Sequence, residues 1–135
     1  MERPTDPETV RNPVSASEAV AVGPYSHGID SDPYVFLSGQ TPLDPATGAL
    51  VPGGIGAQTN RCFDNLFAVL AGAGLGPEHV VKVNVYLTDM TDFAAMNEVY
   101  AIRFDEPYPA RTTIGVAALP LGAAVEIELV ARKGR

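Results

Sequence analysis

Two of the charged residues in the β-like closing stretches of the chain could do chemistry together. Arg111 stands in "PYPARTTIGV", between a proline turn and a β-branched run, and Glu126 stands in "AVEIELVAR". Strands rich in Val, Ile and Thr favour apolar neighbours, so a guanidinium and a carboxylate there need a reason. Arginine's planar fork suits two-point capture of a carboxylate. A partly buried glutamate can shuttle a proton, its pKa raised by burial and lowered by a nearby arginine. On neighbouring strands, parity would allow the two to share a face. A cross-strand salt bridge explains the same pair more simply, and residue types alone leave both readings open.

The remaining chemistry-bearing residues point elsewhere. His27 and His79 are the only histidines, with no local Asp or Glu spacing that makes a metal site, so no metal is expected. "VPGGIGAQT" is glycine-rich but lacks the phosphate-loop pattern, and it reads as a flexible lead into a helix. Lys82 is mid-strand and Lys133 is in the tail, which leaves Schiff-base chemistry without support. Cys62 falls on an apolar helical stripe and reads as a small buried hydrophobe. Ser38, in "LSGQ", has no nucleophile-elbow pattern around it. It is either a turn cap or a hydrogen-bonding group in a site. His27, after "GPYS", reads as a surface histidine.

Composition narrows the classes further. A chain of 135 residues fits one domain. A net charge of −7 argues against a nucleic-acid groove, which needs a basic stripe, and against anionic membranes. One cysteine rules out an internal disulfide. No apolar run approaches the ~20 residues of a membrane helix, and "MERPTDPETV" does not resemble a secretory signal. A cytoplasmic protein is expected. Residues 1–18 read as a loosely ordered arm, and 19–135 as a single domain.

The elements that must position Arg111 and Glu126 alternate between strand and helix periods. "YVFLSGQ" (34–40) reads as a strand, paired with "HGI" as a hairpin across Asp30 to Pro33. Residues 55–73 read as a helix whose stripe is Thr59, Cys62, Phe63, Leu66, Val69, Leu70 and Ala73. Gly74 is its expected C-cap. "HVVKVNVYLTD" reads as a strand with Val81, Val83, Val85 and Leu87 on one side. Residues 92–104 read as a second helix, capped by Thr91 or Asp92. "ARTTIGVA" and "AVEIELVAR" read as two closing strands joined by "ALPLGA". Two helices cover one face of such a sheet. The other would carry Arg111, Thr113, Glu126, Glu128, Lys82, Asn84 and Tyr86, wet or, as preferred here, buried against another copy.

Several segments together resemble the RidA family: "GPYSHGI", "FLSGQTPLDPATGALV", "QTNRCFDNLFAVLAGAG", "VVKVNVYLTDMTDFAAMNEVY" and "PYPARTTIGVAALPLGAAVEIELVA". The resemblance covers about Val20 to Ala131. It implies the chorismate-mutase-like α+β fold, a mixed sheet with two helices on one face, assembled as a homotrimer with clefts between subunits. It also implies hydrolysis of 2-imino or enamine acids to 2-keto acids and ammonia, with no cofactor. By the same resemblance Arg111 grips the substrate carboxylate and Glu126 orients or activates water. Tyr25, Ser38 and Gly39 line the cleft, with Asn97 beside Tyr100 on the second helix. Thr113 stands where many members carry cysteine, which puts a thiol role in doubt. His27 and Leu121 also depart from commoner Gln and Lys. The alternatives are a carboxylate-binding or regulatory trimer, or a related deaminase in a degradative pathway. Nuclease activity has been attached to relatives, but the acidic charge argues against it here.

Overall fold

The computed structural model describes residues 9–15 and 23–134. Among them, six strands form one sheet: β1 (Asn12–Val14), β2 (Gly28–Ser31), β3 (Tyr34–Gln40), β4 (Val80–Leu87), β5 (Ala110–Gly115) and β6 (Val125–Arg132). Two α-helices, α1 (Ile55–Gly72) and α2 (Phe93–Arg103), and three short 3₁₀ turns complete the regular structure. The spatial order is β1-β2-β3-β6-β4-β5. Only β4 and β5 run parallel, joined through α2, while the other neighbours are antiparallel. The mixed α+β architecture expected from the sequence is therefore present. No described helix is long and apolar enough to cross a membrane.

The core follows from the stripe on α1. Cys62, Phe63, Leu66, Val69 and Leu70 are fully buried against Val35, Val83, Val85, Ile127 and Leu129 of the sheet. Asn65 is buried on the same stripe, its side-chain N–H donating to the Leu43 carbonyl at 2.9 Å. Phe63 meets Tyr100 and Phe104 edge-on at 5.7 and 5.5 Å, and so docks α2 on α1. The first helix ends as expected. Gly74 has φ +74°, the Leu75 N–H reaches the Leu70 carbonyl, and the Gly74 N–H reaches Ala71, both at 2.9 Å. This is a Schellman closure.

Four expectations need correction. Part of the expected loose arm, Asn12–Val14, pairs with β2 as an edge strand, with Val14 buried; residues 1–8 and 16–18 lie outside the described residues. Val81 faces solvent at 42% exposure. Val80 pairs with Ala131 and Lys82 with Val130, so Val81 is the extra residue of a bulge and Val80 takes the buried place. The second helix is entered through a short turn at Met90–Asp92, capped by Asp89, whose carboxylate accepts from the Thr91 N–H at 2.9 Å.

The fourth correction bears on the site: the two closing strands are not neighbours. β4 lies between β5 and β6. Arg111 pairs with Val83, and Val83 with Leu129; Thr113 pairs with Val85, and Val85 with Ile127. Paired residues project to the same side, so Arg111 and Thr113 lie on the helix-covered face. Glu126 pairs with Tyr86, which pairs with Ile114, and these lie on the open face.

Candidate active site

Arg111 belongs to an edge strand with α2 beside it. Its guanidinium lies 4.6 Å from the Tyr100 ring centre and 5.5 Å from that of Phe93. It donates to the Asn97 side-chain oxygen at 2.6 Å. Phe93, Asn97 and Tyr100 are spaced four and three apart on α2, which puts them on one side of the helix. Cation–π contact and one hydrogen bond thus fix the plane of the guanidinium. Among the described residues no carboxylate pairs with it. Beside it opens a cavity of about 420 Å³ lined by Asn97, Tyr100, Ala101, Tyr108, Pro109 and Arg111. Burial pushes the Tyr100 hydroxyl up to about 12, with Arg111 pulling the other way, so it stays a neutral phenol.

A second group forms where β2, β3 and β6 meet. Glu126 lies so close over Gly39 that a Cβ there would overlap its carboxylate. Burial, then the nearby Glu128 carboxylate, raises the Glu126 pKa. Glu128 itself accepts from the Tyr86 hydroxyl at 3.0 Å. Ser38 donates to the Ser26 carbonyl at 2.6 Å, which ties β3 to the segment carrying Tyr25. Tyr25 meets His27 edge-on at 5.9 Å, and His27 Nδ1 is 3.1 Å from the Gln40 side-chain nitrogen. His27 is buried rather than a surface residue. The interlocked ring and amide hold it inside.

The structure therefore gathers the seven sequence-predicted residues into two groups. Arg111, Asn97 and Thr113 lie toward α2, while Glu126, Gly39, Ser38 and Tyr25 lie near the β2–β3–β6 end. The same-face placement of Arg111 and Glu126 is overturned, because strand register and not hairpin connection decides which way β5 turns. A salt bridge between them within one chain is excluded by the same geometry. Cys62 is fully buried, and burial followed by the charge of Glu126 pushes its thiol up, so it stays protonated and inert.

The comparisons with known proteins bear on this arrangement. A family model described as Endoribonuclease L-PSP matches residues 16–133. The chain belongs to this family, the RidA (YjgF) family. Among its relatives, the 2-iminobutanoate/2-iminopropanoate deaminase of Mus musculus is 43% identical over 126 residues, covering 93% of each chain. Protein DfrA of Myxococcus xanthus is 50% identical over 113 residues, 82% of this chain and 86% of that one. The crystal structure of RidA from Psychrobacter sp. PAMC 21119 superposes with a TM-score of 0.87 at 43% identity, covering 90% of this chain and 99% of that one. TdcF of E. coli, solved with bound serine, gives 0.87 at 38% identity over 92% and 100%.

In this RidA-family chain, Thr113 takes the place next to Arg111 on the helix side of β5. Its hydroxyl is buried and without a hydrogen-bond partner among the described residues. Two further residues stand beside the guanidinium, Phe93 and Tyr108, and the sequence marks neither as a site residue: Phe93 reads only as an apolar position of the second helix and Tyr108 as part of the proline turn before Arg111. The signal for Tyr108 was its position three before Arg111, across Pro109.

Proposed function

We propose that the chain is a deaminase that hydrolyses reactive 2-imino or enamine acids to 2-keto acids and ammonia. The observation that carries this reading is the Arg111 guanidinium: half-buried, oriented by Asn97, stacked on Tyr100, and with no carboxylate upon it among the described residues. A preset, unpaired guanidinium beside a cavity suits a small carboxylate. The deaminase names carried by the mammalian relatives support the reaction class.

In the proposed mechanism Arg111 holds the carboxylate and so orients the C=N carbon. Asn97 fixes the guanidinium. A water oxygen adds to that carbon while Glu126 accepts the water's proton. Its raised pKa suits both that step and the return of the proton to nitrogen. Collapse of the resulting carbinolamine, its hydroxyl proton passing to Glu126, forms the carbonyl and releases ammonia. The Ser38 proton is committed to Ser26, so its lone pairs accept from the substrate N–H. The Tyr25 hydroxyl donates to the tetrahedral intermediate. Gly39 leaves room for the Glu126 carboxylate, and the Thr113 backbone closes the floor beside Arg111. The protonated imine carbon is already electrophilic, so these steps call on no metal or organic cofactor.

Opposite-face placement leads to an assembly. A cleft holding Arg111 of one copy and Glu126 of the next would complete the site. This fits a homotrimer of the chorismate-mutase-like kind, its open faces turned inward, in the cytoplasm. The test couples a serine or threonine dehydratase to the purified protein and follows loss of the imine. Arg111→Ala should abolish the acceleration; full activity in that variant overturns the reading. A second reading, a carboxylate-binding protein without turnover, draws on the same guanidinium and on a relative solved with bound serine. Glu126→Gln separates them, since an enzyme loses rate and a binder keeps its affinity.

A further inference from the structure

The cavity beside Arg111 says more about its occupant than that it bears a carboxylate. The Asn97 oxygen is taken by Arg111. The Tyr108 hydroxyl donates to the Ala101 carbonyl at 3.3 Å, and the Tyr100 hydroxyl is buried away from the cavity surface. What remains polar is N–H: the Asn97 amide and the unused edges of the guanidinium. No other lining residue is charged. One end therefore reads an anion, and the rest offers the half-exposed Tyr108 ring, the Pro109 ring and the Ala101 methyl. At the ~30 Å³ that a water occupies in the liquid, about 420 Å³ holds roughly a dozen non-hydrogen atoms. A three- or four-carbon imino acid would fill about half of that space and leave water against the rest.

We infer that the preferred ligand is a 2-imino acid, or its 2-keto acid, whose side chain is bulky and apolar or aromatic. That side chain packs against Tyr108, Pro109 and Ala101, which act as specificity residues. The chemistry of this inference rests on the deaminase reading, whereas its size preference can be read by binding alone. An aromatic side chain gains edge contact with Tyr108 as well as buried area.

The experiment forms imines from phenylalanine and from alanine with an amino-acid oxidase and measures kcat/KM for each. In parallel, phenylpyruvate and pyruvate are titrated by calorimetry. The phenylalanine imine should be favoured about tenfold or more, and phenylpyruvate should bind tighter by a similar factor. Ala101→Phe, which fills the cavity, should bring both ratios toward one, as should Tyr108→Ala, which removes the aromatic wall. Ala101 and Tyr108 are exposed, so both variants should fold. Ratios near or below one in the unaltered protein overturn the inference. Loss of turnover on every imine with the binding preference intact would sink the deaminase reading and uphold the size preference.

Discussion

Arg111 and Glu126 are two charges placed by different physics. Arg111 is steadied by an amide oxygen and two rings, contacts that leave its charge available. Glu126 is crowded by burial and by Glu128, contacts that disfavour its charge. For an acid whose folded-state pKa is raised, the stability contribution is present while the group is protonated. It is lost as pH rises from the unfolded value through the folded one. Glu126→Gln removes that loss. The thermal midpoint of the variant, minus that of the unaltered protein, should therefore grow as pH rises above the ordinary glutamate value of about 4.3. A difference constant over that rise would show that Glu126 is not strained in its ionised form. The residue types were legible in the sequence, because each breaks the pattern of its strand. Their partners were not, since Tyr100, Asn97 and Gly39 reach them only through the fold.

At the scale of elements, α1 shows how local rules and tertiary contacts divide the work. Its stripe and glycine stop were readable from spacing. Gly74 at φ +74° has nothing within 4 Å of a hypothetical Cβ, so replacement meets only backbone strain. Gly74→Ala should cost about 1 kcal/mol, measured as a lower urea midpoint with an unchanged m-value. A cost near zero would mean the helix end re-forms without the left-handed residue. Asn65 could not be read as core, because an amide on an apolar stripe is tolerated only where a loop supplies acceptors. Here the acceptor is the backbone between β3 and α1. Likewise the bulge that exposes Val81 is set by its pairing with β6, and strand alternation carries no sign of it.

For the whole molecule, the question is what covers the open face. It carries Tyr34, Phe36 and Ile114 at 41%, 49% and 46% exposure among Glu126, Glu128, Tyr86 and Lys82. In the proposed trimer this face meets its copies, and each cleft draws Arg111 and Glu126 from different chains. Subunits of Arg111→Ala and Glu126→Gln, each inactive alone, should then complement. Denatured together in equal amounts and refolded, they should regain about a quarter of the unaltered rate, since one interface in four joins two intact halves. No recovery despite mixed assembly would place both residues in one chain's site, contrary to the register. Size-exclusion chromatography of Phe36→Glu should show dissociation with loss of activity.

The amino-acid sequence by itself determined the local periods, the helix stop at Gly74 and which residues carry chemistry, because these depend on neighbours within a turn or a strand. It also determined that Arg111 and Thr113 share one side of their strand, with Thr112 and Ile114 on the other. It could not determine which side meets the helices. Thr112 and Ile114 are the more apolar pair, yet they face the open side, where Ile114 remains half-exposed. Only the tertiary structure decided this. β6 enters between β3 and β4, β5 is sent to the edge, and the pairing of Arg111 with Val83 turns the guanidinium toward α2. Register between distant strands is a long-range choice, made where the summed burial of many side chains is greatest.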